Sequence, residues 1–416
     1  MSATRATFAA GVDAKRLWGR HEALARYGAT GSGGVNRQAL SAAEIGARRA
    51  LIAMAATLGM TPWTDPAGNL FLRLPGTDPS SAPVVTGSHL DSQPAGGRFD
   101  GIYGVLAGLE AIAALRAAGV MPHRPIDVVS WMNEEGSRFA PGMMGSAAFA
   151  GAVPLAALLE VTDAEGVRVR DALAQVRAAF PDVPERPLGG PVHAYVEAHI
   201  EQGPVLERAG VPIGVVTGIQ GKRTFRVTMR GAQAHAGTAP HAERRDALLA
   251  ATAAIQALAA AMEDPQDLVR FTVGRLVVTP NAPSVVASRA VFSVDLRHPD
   301  PQQLAALGDA VPTICARHAG RCELEIEPLV DATATTFPEP MRARVRDAAR
   351  RCGHASIDLP SAAGHDARYL SAICPSAMIF VPCKDGISHD EAESARPEDL
   401  AAGARVLAEV LAELAA

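Results

Sequence analysis

Several short apolar runs in this chain end in glycine-flanked clusters of histidine and carboxylate, and that pattern constrains the fold more than any other feature. Residues 83–89 read as a buried strand that runs into Gly87-Ser88-His89-Leu90-Asp91-Ser92 and then Gly96-Gly97-Arg98-Phe99-Asp100-Gly101. Residues 125–132 read as a second strand, closing on Asn133-Glu134-Glu135-Gly136. Residues 195–198 lead to His199, and residues 377–382 lead toward His389. Between the first two runs, residues 102–118 are rich in alanine and leucine and read as a helix. Continuous apolar strands alternating with helices imply an α/β fold: a mostly parallel sheet covered on both faces, with ligands bound at the carboxyl ends of the strands.

His89, Asp100, Glu135, His199 and His389 are then candidate metal ligands. Zinc accepts imidazole nitrogen and carboxylate oxygen, and catalytic sites leave a position open. Two cations roughly 3.5–4 Å apart can polarise a scissile carbonyl and stabilise the oxyanion that follows. Asp100 could bridge such a pair. In an extended chain consecutive side chains point to opposite sides, so Glu135 can face a metal while Glu134 faces the substrate as a general base. Asp91, two residues after His89, suits a carboxylate that receives the other ring N–H of that histidine and fixes its tautomer. Any one of these histidines taken alone would be an ordinary polar residue. Their joint placement after apolar runs carries the metal assignment.

The rest of the composition excludes several classes. With a net charge of −5 and only 4% aromatic residues, the chain has no electrostatic footprint for nucleic acid. No apolar run reaches membrane-span length and the start shows no cleavable signal pattern, so a cytoplasmic protein without membrane partners is expected. Lysine occurs only at Lys15, Lys222 and Lys384, which leaves few Schiff-base candidates. The cysteines, Cys315, Cys322, Cys352, Cys374 and Cys383, show no paired zinc spacing and read as reduced thiols. Residues 28–34 are glycine-rich but lack the Gly-Lys-Ser/Thr of a phosphate loop, and read as a flexible turn near the site mouth. Ser41-Ala42-Ala43-Glu44 reads as a capping box for a helix reaching residue 58.

Between residues 212 and 328 the pattern changes to strand (224–229), helix (245–262), strand (269–278), strand (285–296), helix (301–319) and strand (322–326). That order is the ferredoxin-like α+β unit. The expected organisation is a catalytic domain in two parts, 1–211 and 329–416, interrupted by an inserted domain over 212–328.

The motifs Gly87-Ser88-His89-Leu90-Asp91-Ser92-Gln93-Pro94, Gly97-Arg98-Phe99-Asp100-Gly101, Trp131-Met132-Asn133-Glu134-Glu135-Gly136, residues 199–207 (HIEQGPVLE) and Gly386-Ile387-Ser388-His389 together resemble the amidase/hydantoinase/carbamoylase branch of the di-zinc aminoacylase and carboxypeptidase superfamily. This branch includes N-carbamoyl-L-amino-acid hydrolases, yeast-type β-ureidopropionases and allantoate amidohydrolases. The resemblance spans nearly the whole chain. It implies a di-zinc aminopeptidase-like catalytic domain, a ferredoxin-like lid and dimerisation domain, and two divalent ions per subunit. Zinc is the first choice, with manganese, cobalt or nickel compatible with mixed nitrogen and oxygen ligands. It implies metal binding by His89, Asp100, Glu135, His199 and His389, with Asp100 bridging and Glu134 as general base. It further implies a homodimer in which His235 reaches the partner subunit's site to stabilise the oxyanion, and contacts from Gln202, Asn281 and Arg297 to a substrate carboxylate. The implied reaction is hydrolysis of the linear ureido bond of N-carbamoyl amino acids, with allantoate, dipeptides or acylated amino acids as alternative substrates and a non-catalytic small-molecule binder as the reading of another class. Two positions depart from the family pattern: Ala362 stands where glycine is frequent, and Asp390 where asparagine is.

Overall fold

The structure, a computed structural model, describes residues 8–416. The first part of the chain supplies strands β1 (Thr61–Thr64), β2 (Leu70–Leu74), β3 (Val84–His89), β4 (Ile126–Trp131), β5 (Ala194–Ile200) and β6 (Ile213–Ile219). The middle supplies β7 (Gly221–Arg230), β8 (Ala234–His235), β9 (Arg270–Thr272), β10 (Leu276–Thr279), β11 (Val285–Val286), β12 (Arg289–His298), β13 (Glu323–Ala332) and β14 (Thr335–Thr336). The last part adds β15 (Ser356–Ser361) and β16 (Ser376–Val381). The chain divides into two compact units. One holds residues 8–217 with Phe337–Leu359 and Gly364–Ala416; the other holds Gly218–Thr336 with Pro360–Ala363.

In the first unit the strands run in the order β1-β2-β4-β3-β5-β16-β6. β3 is parallel to β4 and β5, and β16 is parallel to β5. Every residue of β3, β4, β5 and β16 is buried. These are the continuous apolar runs of the sequence, and such runs arise where helices cover both faces of a sheet. The helix Ile102–Ala117 is buried from Ile102 to Leu115, and it shares one core with the C-terminal helix Pro397–Leu414 and with strand residues such as Val84, Val128, Val196 and Ile379. Gly87 marks how tightly the centre is packed: its φ is 140°, and a Cβ there would lie 2.0 Å from the Val129 carbonyl oxygen.

The 28–34 segment is pinned. Val35 and Gly96 exchange backbone hydrogen bonds at 2.9 and 3.0 Å, and Asn36 N–H donates to Gly28 O at 2.7 Å. The capping box is half made. Ser41 Oγ accepts from Glu44 N–H at 3.2 Å, but the Glu44 carboxylate accepts from Leu40 N–H and pairs with Arg48 instead of reaching back to Ser41. That helix spans Ala42–Ala56. Among the described residues no helix is long and apolar enough to cross a membrane, and all five cysteines are free thiols.

The second unit contains an antiparallel sheet in the order β10-β12-β7-β13, with β9 also paired to β12. Its burial alternates. Phe225, Val227, Met229, Ala290, Phe292, Val294 and Leu296 form a core with Ala251 and Leu258 of the helix Ala247–Ala261 and Leu304 and Val311 of the helix Pro301–His318. The intervening residues of β7 and β12, including Lys222, Thr224, Ser293, Asp295 and Arg297, occupy the other face.

Three details differ from the pattern read along the sequence. The 269–278 run is two strands, β9 and β10, separated around Gly274, and the 285–296 run is likewise divided into β11 and β12. The last strand continues to Ala332 through a register shift between Pro328 and Val330, where proline has no N–H to give the ladder. The unit's edges lie at Gly218 and Thr336, not at 212 and 328, because most of β6 belongs to the first unit and pairs with β16.

Candidate metal centre

His89 is the last residue of β3. Its Nδ1–H donates to Asp91 O at 2.9 Å, which leaves Nε2 3.8 Å from Asp100 Oδ1 and 3.5 Å from Glu134 Oε2. His199, near the end of the neighbouring β5, donates Nδ1–H to Ile200 O at 2.9 Å, so its Nε2 stands 3.2 Å from the same Asp100 Oδ1. Backbone carbonyls thus fix both tautomers with Nε2 toward the site. Asp100 sits in the passage from β3 to the following helix. Gly101 holds it close: φ is 66°, and a Cβ would come within 2.2 Å of the His89 ring.

The other oxygen of Asp100, Oδ2, lies 3.3 Å from His389 Nε2 and accepts from Ser388 Oγ at 2.9 Å and Gln202 Nε2 at 2.8 Å. His389 Nε2 is 3.5 Å from Glu135 Oε2, which accepts from Gln93 Nε2 at 2.7 Å. Two ligand groups result, His89-Asp100-His199 and Asp100-Glu135-His389, and within each the ligand atoms lie within 4.8 Å of one another. Asp100 is common to both. All five candidate ligands of the sequence are therefore brought together around one carboxylate.

The glutamate pair is separated by a turn and not by strand alternation. β4 ends at Trp131, and Asn133 adopts φ 53° while donating Nδ2–H to Phe139 O at 2.8 Å. Asp91 then grips the turn, its Oδ1 and Oδ2 accepting from the N–H groups of Glu134 and Glu135 at 3.2 Å each. The expectation that the Asp91 carboxylate orients His89 is corrected here: Oδ1 is 3.7 Å from Nδ1, and the Asp91 carbonyl does that work. Gln202, expected as a substrate contact, is hydrogen-bonded to Asp100.

The electrostatics describe a site short of positive charge. Burial pushes Asp91 up to about 7. Burial, joined by the Asp100 charge, pushes Glu135 up to about 8. Glu134 is raised well above the usual range by burial and then by Asp366. For Asp100 burial is also the largest influence, but hydrogen bonds to His199 and His389 overcome it and hold the carboxyl well below its ordinary value. His199 is lowered by burial yet lifted to about 9 by Asp100; His389 reaches about 9, mainly through its hydrogen bond to Asp100. Burial takes His89 down to about 4, the neutral form a metal needs. Buried acids that cannot all ionise together, facing imidazole nitrogens held in one tautomer, are a donor set that fits divalent cations.

Other participants escaped the sequence reading. Glu197 on β5 accepts from Ser88 Oγ at 2.7 Å, Tyr195 Oη at 3.1 Å and Ala367 N–H at 3.1 Å, and forms a third convergent group with His199 and His365. A carboxylate inside an apolar strand, two residues before a ligand histidine, was the available signal. Glu393 accepts from Phe99 N–H at 2.9 Å, Asp100 N–H at 3.1 Å and Ser388 Oγ at 3.1 Å. Nothing in its local sequence announces that.

His235, Asn281 and Arg297 lie in the second unit, outside both ligand groups. His235, on β8, is exposed and its Nδ1 accepts from Gly237 and Thr238 N–H at 3.0 and 3.1 Å. Asn281 is exposed with φ 57°. Arg297 donates Nε–H to Asp295 Oδ1 at 2.9 Å and Nη1–H to the carbonyl of Ala362 at 3.2 Å. Asp390 turns its carboxylate onto Ala392 N–H at 2.8 Å.

Residues 85–413 match Peptidase family M20/M25/M40. The chain belongs to that family. Among curated relatives of this M20 member, the N-carbamoyl-L-amino-acid amidohydrolase of Rhizobium meliloti is 39% identical over 409 residues, covering 97% of each chain. The allantoate amidohydrolase of Bacillus subtilis is 34% identical, covering 95% of this chain and 96% of its own. A solved amidase of the hydantoinase/carbamoylase family from Burkholderia multivorans is 44% identical and superposes with a TM-score of 0.87 over 97% of this chain and 98% of its own. The mixed α/β architecture, with its mostly parallel central sheet, is that of the family.

Proposed function

We propose that this protein is a metal-dependent amidohydrolase that cleaves the linear ureido C–N bond of N-carbamoyl L-amino acids, giving the amino acid, carbon dioxide and ammonia. The observation that carries the reading is the pair of ligand groups sharing Asp100 with the Glu134 carboxylate at their edge. The full-length likeness to N-carbamoyl-L-amino-acid amidohydrolases supplies the substrate class. Divalent cations, zinc first among them, would supply Lewis acidity toward the ureido carbonyl and toward water.

The chain's own groups do the rest. His89, Asp100, Glu135, His199 and His389 are the ligands. Glu134 takes a proton from water and returns it to the leaving nitrogen. Asp91 keeps Glu134 and Glu135 apart by holding both backbone amides. In the second unit, which we read as a ferredoxin-like lid and dimerisation domain, Arg297 and Asn281 hold the substrate carboxylate and His235 stabilises the oxyanion in a partner subunit. The edge strand β10, with Leu276 and Val277 44% and 41% exposed, supports the dimer. Free thiols throughout suit a reducing cytoplasm.

Allantoate is the second reading, favoured by the Bacillus subtilis relative. Ammonia release by chelated and metal-reloaded protein, across N-carbamoyl-L-amino acids, N-carbamoyl-β-alanine, allantoate and a dipeptide, separates them. Metal-dependent release from a carbamoyl L-amino acid is the expected result. Turnover confined to allantoate or to the dipeptide contradicts the proposal.

A further inference from the structure

The open face of the second unit's sheet carries a row of cations. In register, Arg297 on β12 stands opposite Lys222 on β7 and opposite Arg270 on β9. Residues directly opposite on antiparallel strands project to the same face, with Cα atoms roughly 4.5–5.5 Å apart, and like charges so placed repel. Local acids answer only part of that charge. Asp295 serves two cations at once, 2.9 Å from Arg297 Nε and 3.1 Å from Lys222 Nζ. Arg270 meets Asp267 at 2.5 Å, but that aspartate is 84% exposed, and a solvated pair of this kind contributes little and yields readily to a better anion.

A cleft of about 530 Å³ opens over this row. Its charged lining is Arg270, Arg297 and Asp295, a net positive charge, and Thr224, Thr272 and Ser293 add hydroxyl groups. An arginine fork matches a carboxylate in two parallel hydrogen bonds. Arg297 already gives Nε–H and Nη2–H to the two oxygens of Asp295 at 2.9 and 3.3 Å and Nη1–H to the Ala362 carbonyl, so an incoming carboxylate shares or displaces Asp295 there, while on the adjacent strand Arg270 is held by the exposed Asp267.

We propose that Arg270 is a specificity-determining residue that, with Arg297, selects a substrate bearing two carboxylates, an N-carbamoyl amino acid of the aspartate or glutamate kind. The assignment rests on the reading of Arg297 as the contact to the α-carboxylate. Arg270, one strand over, then receives the side-chain carboxylate, and the hydroxyl groups of Thr272 and Ser293 line the same cleft as further donors to carboxylate oxygens.

The test compares N-carbamoyl-L-glutamate with its neutral isostere N-carbamoyl-L-glutamine, in the wild-type protein and in Arg270→Gln. The wild type should show kcat/KM at least roughly tenfold higher for the diacid, and the variant should bring that ratio close to unity. A ratio near unity in the wild type, or an equal fall for both substrates in the variant, overturns the proposal. Titration calorimetry with glutarate and butyrate makes the test independent of turnover. Glutarate should bind at least about tenfold more tightly than butyrate to the wild type, with the preference lost in Arg270→Gln. Equal affinities, or a preference that survives the substitution, overturn it. If no carbamoyl substrate is turned over, the proposed reaction fails and the glutarate comparison alone decides the diacid cleft.

Discussion

The two sheets of this protein put their polar residues in opposite places. In β3, β4, β5 and β16 every position is buried, so a carboxylate inside a strand must be paired, as Glu197 and Asp127 are. In β12 burial alternates strictly and in β7 more loosely, with Thr228 buried between Val227 and Met229, and most of one face is available for charge. A sheet covered on both sides concentrates chemistry at its edge, where carboxylates become expensive to ionise and so receptive to cations. A sheet covered on one side spreads charge over a surface, where it is solvated, salt-bridged and suited to anions. The metal centre and the cationic row are the two outcomes.

Substitutions can break this contrast, and the largest effect should come at the covered sheet's edge. If Glu134 is the proposed proton carrier, Glu134→Gln should lower kcat roughly a hundredfold to ten-thousandfold with metal content and thermal stability kept. Loss of metal together with activity would assign it to the ligand set instead. Phe71→Ala, in β2, removes a fully buried ring stacked on Trp63 at 3.8 Å between centroids and should cost about 3–5 kcal/mol by chemical denaturation. A cost near that of a surface site would deny that this sheet is packed on both faces.

A titration sharpens the same point. His21 is buried against Phe99 and Tyr103, and burial lowers it to about 3. Because the unfolded chain binds that proton near 6.5 and the folded one does not until about 3, stability should fall as pH drops through this window. The loss from this one group is about 2 kcal/mol between pH 6.5 and 5, and His21→Phe should remove it from the denaturation profile. An unchanged slope would show that His21 does not titrate this way. The smallest effect belongs to the open face. Arg226 and Glu327 pair at 2.5 Å with both side chains about half exposed, and Arg226→Ala should cost less than about 1 kcal/mol, diminishing further in salt.

The same contrast explains what could be read from the sequence. The covered strands are visible because each is an unbroken apolar run, and the five candidate ligands are visible because they stand at or near the ends of such runs. β8 is not, since two residues carry no period, and for the same reason β11 is run together with β12. Whether the carbonyl or the carboxylate of Asp91 meets His89 depends on a backbone turn that composition does not encode. Likewise the Glu134-Glu135 separation comes from the left-handed Asn133, where the sequence alone predicts an extended strand. Glu393 reaches Asp100 across 293 positions of chain, and only the closed fold reveals it.

Both candidate ligand groups depend on one shared carboxylate, Asp100. Metal content of the wild type and of Asp100→Ala, measured by plasma emission after reloading and gel filtration, tests it most directly. Two equivalents per chain in the wild type and less than one in the variant is the predicted result, since both ligand groups lose a member. A variant that keeps one full, tightly held equivalent would show that the groups do not depend on Asp100 in common, and would contradict the account.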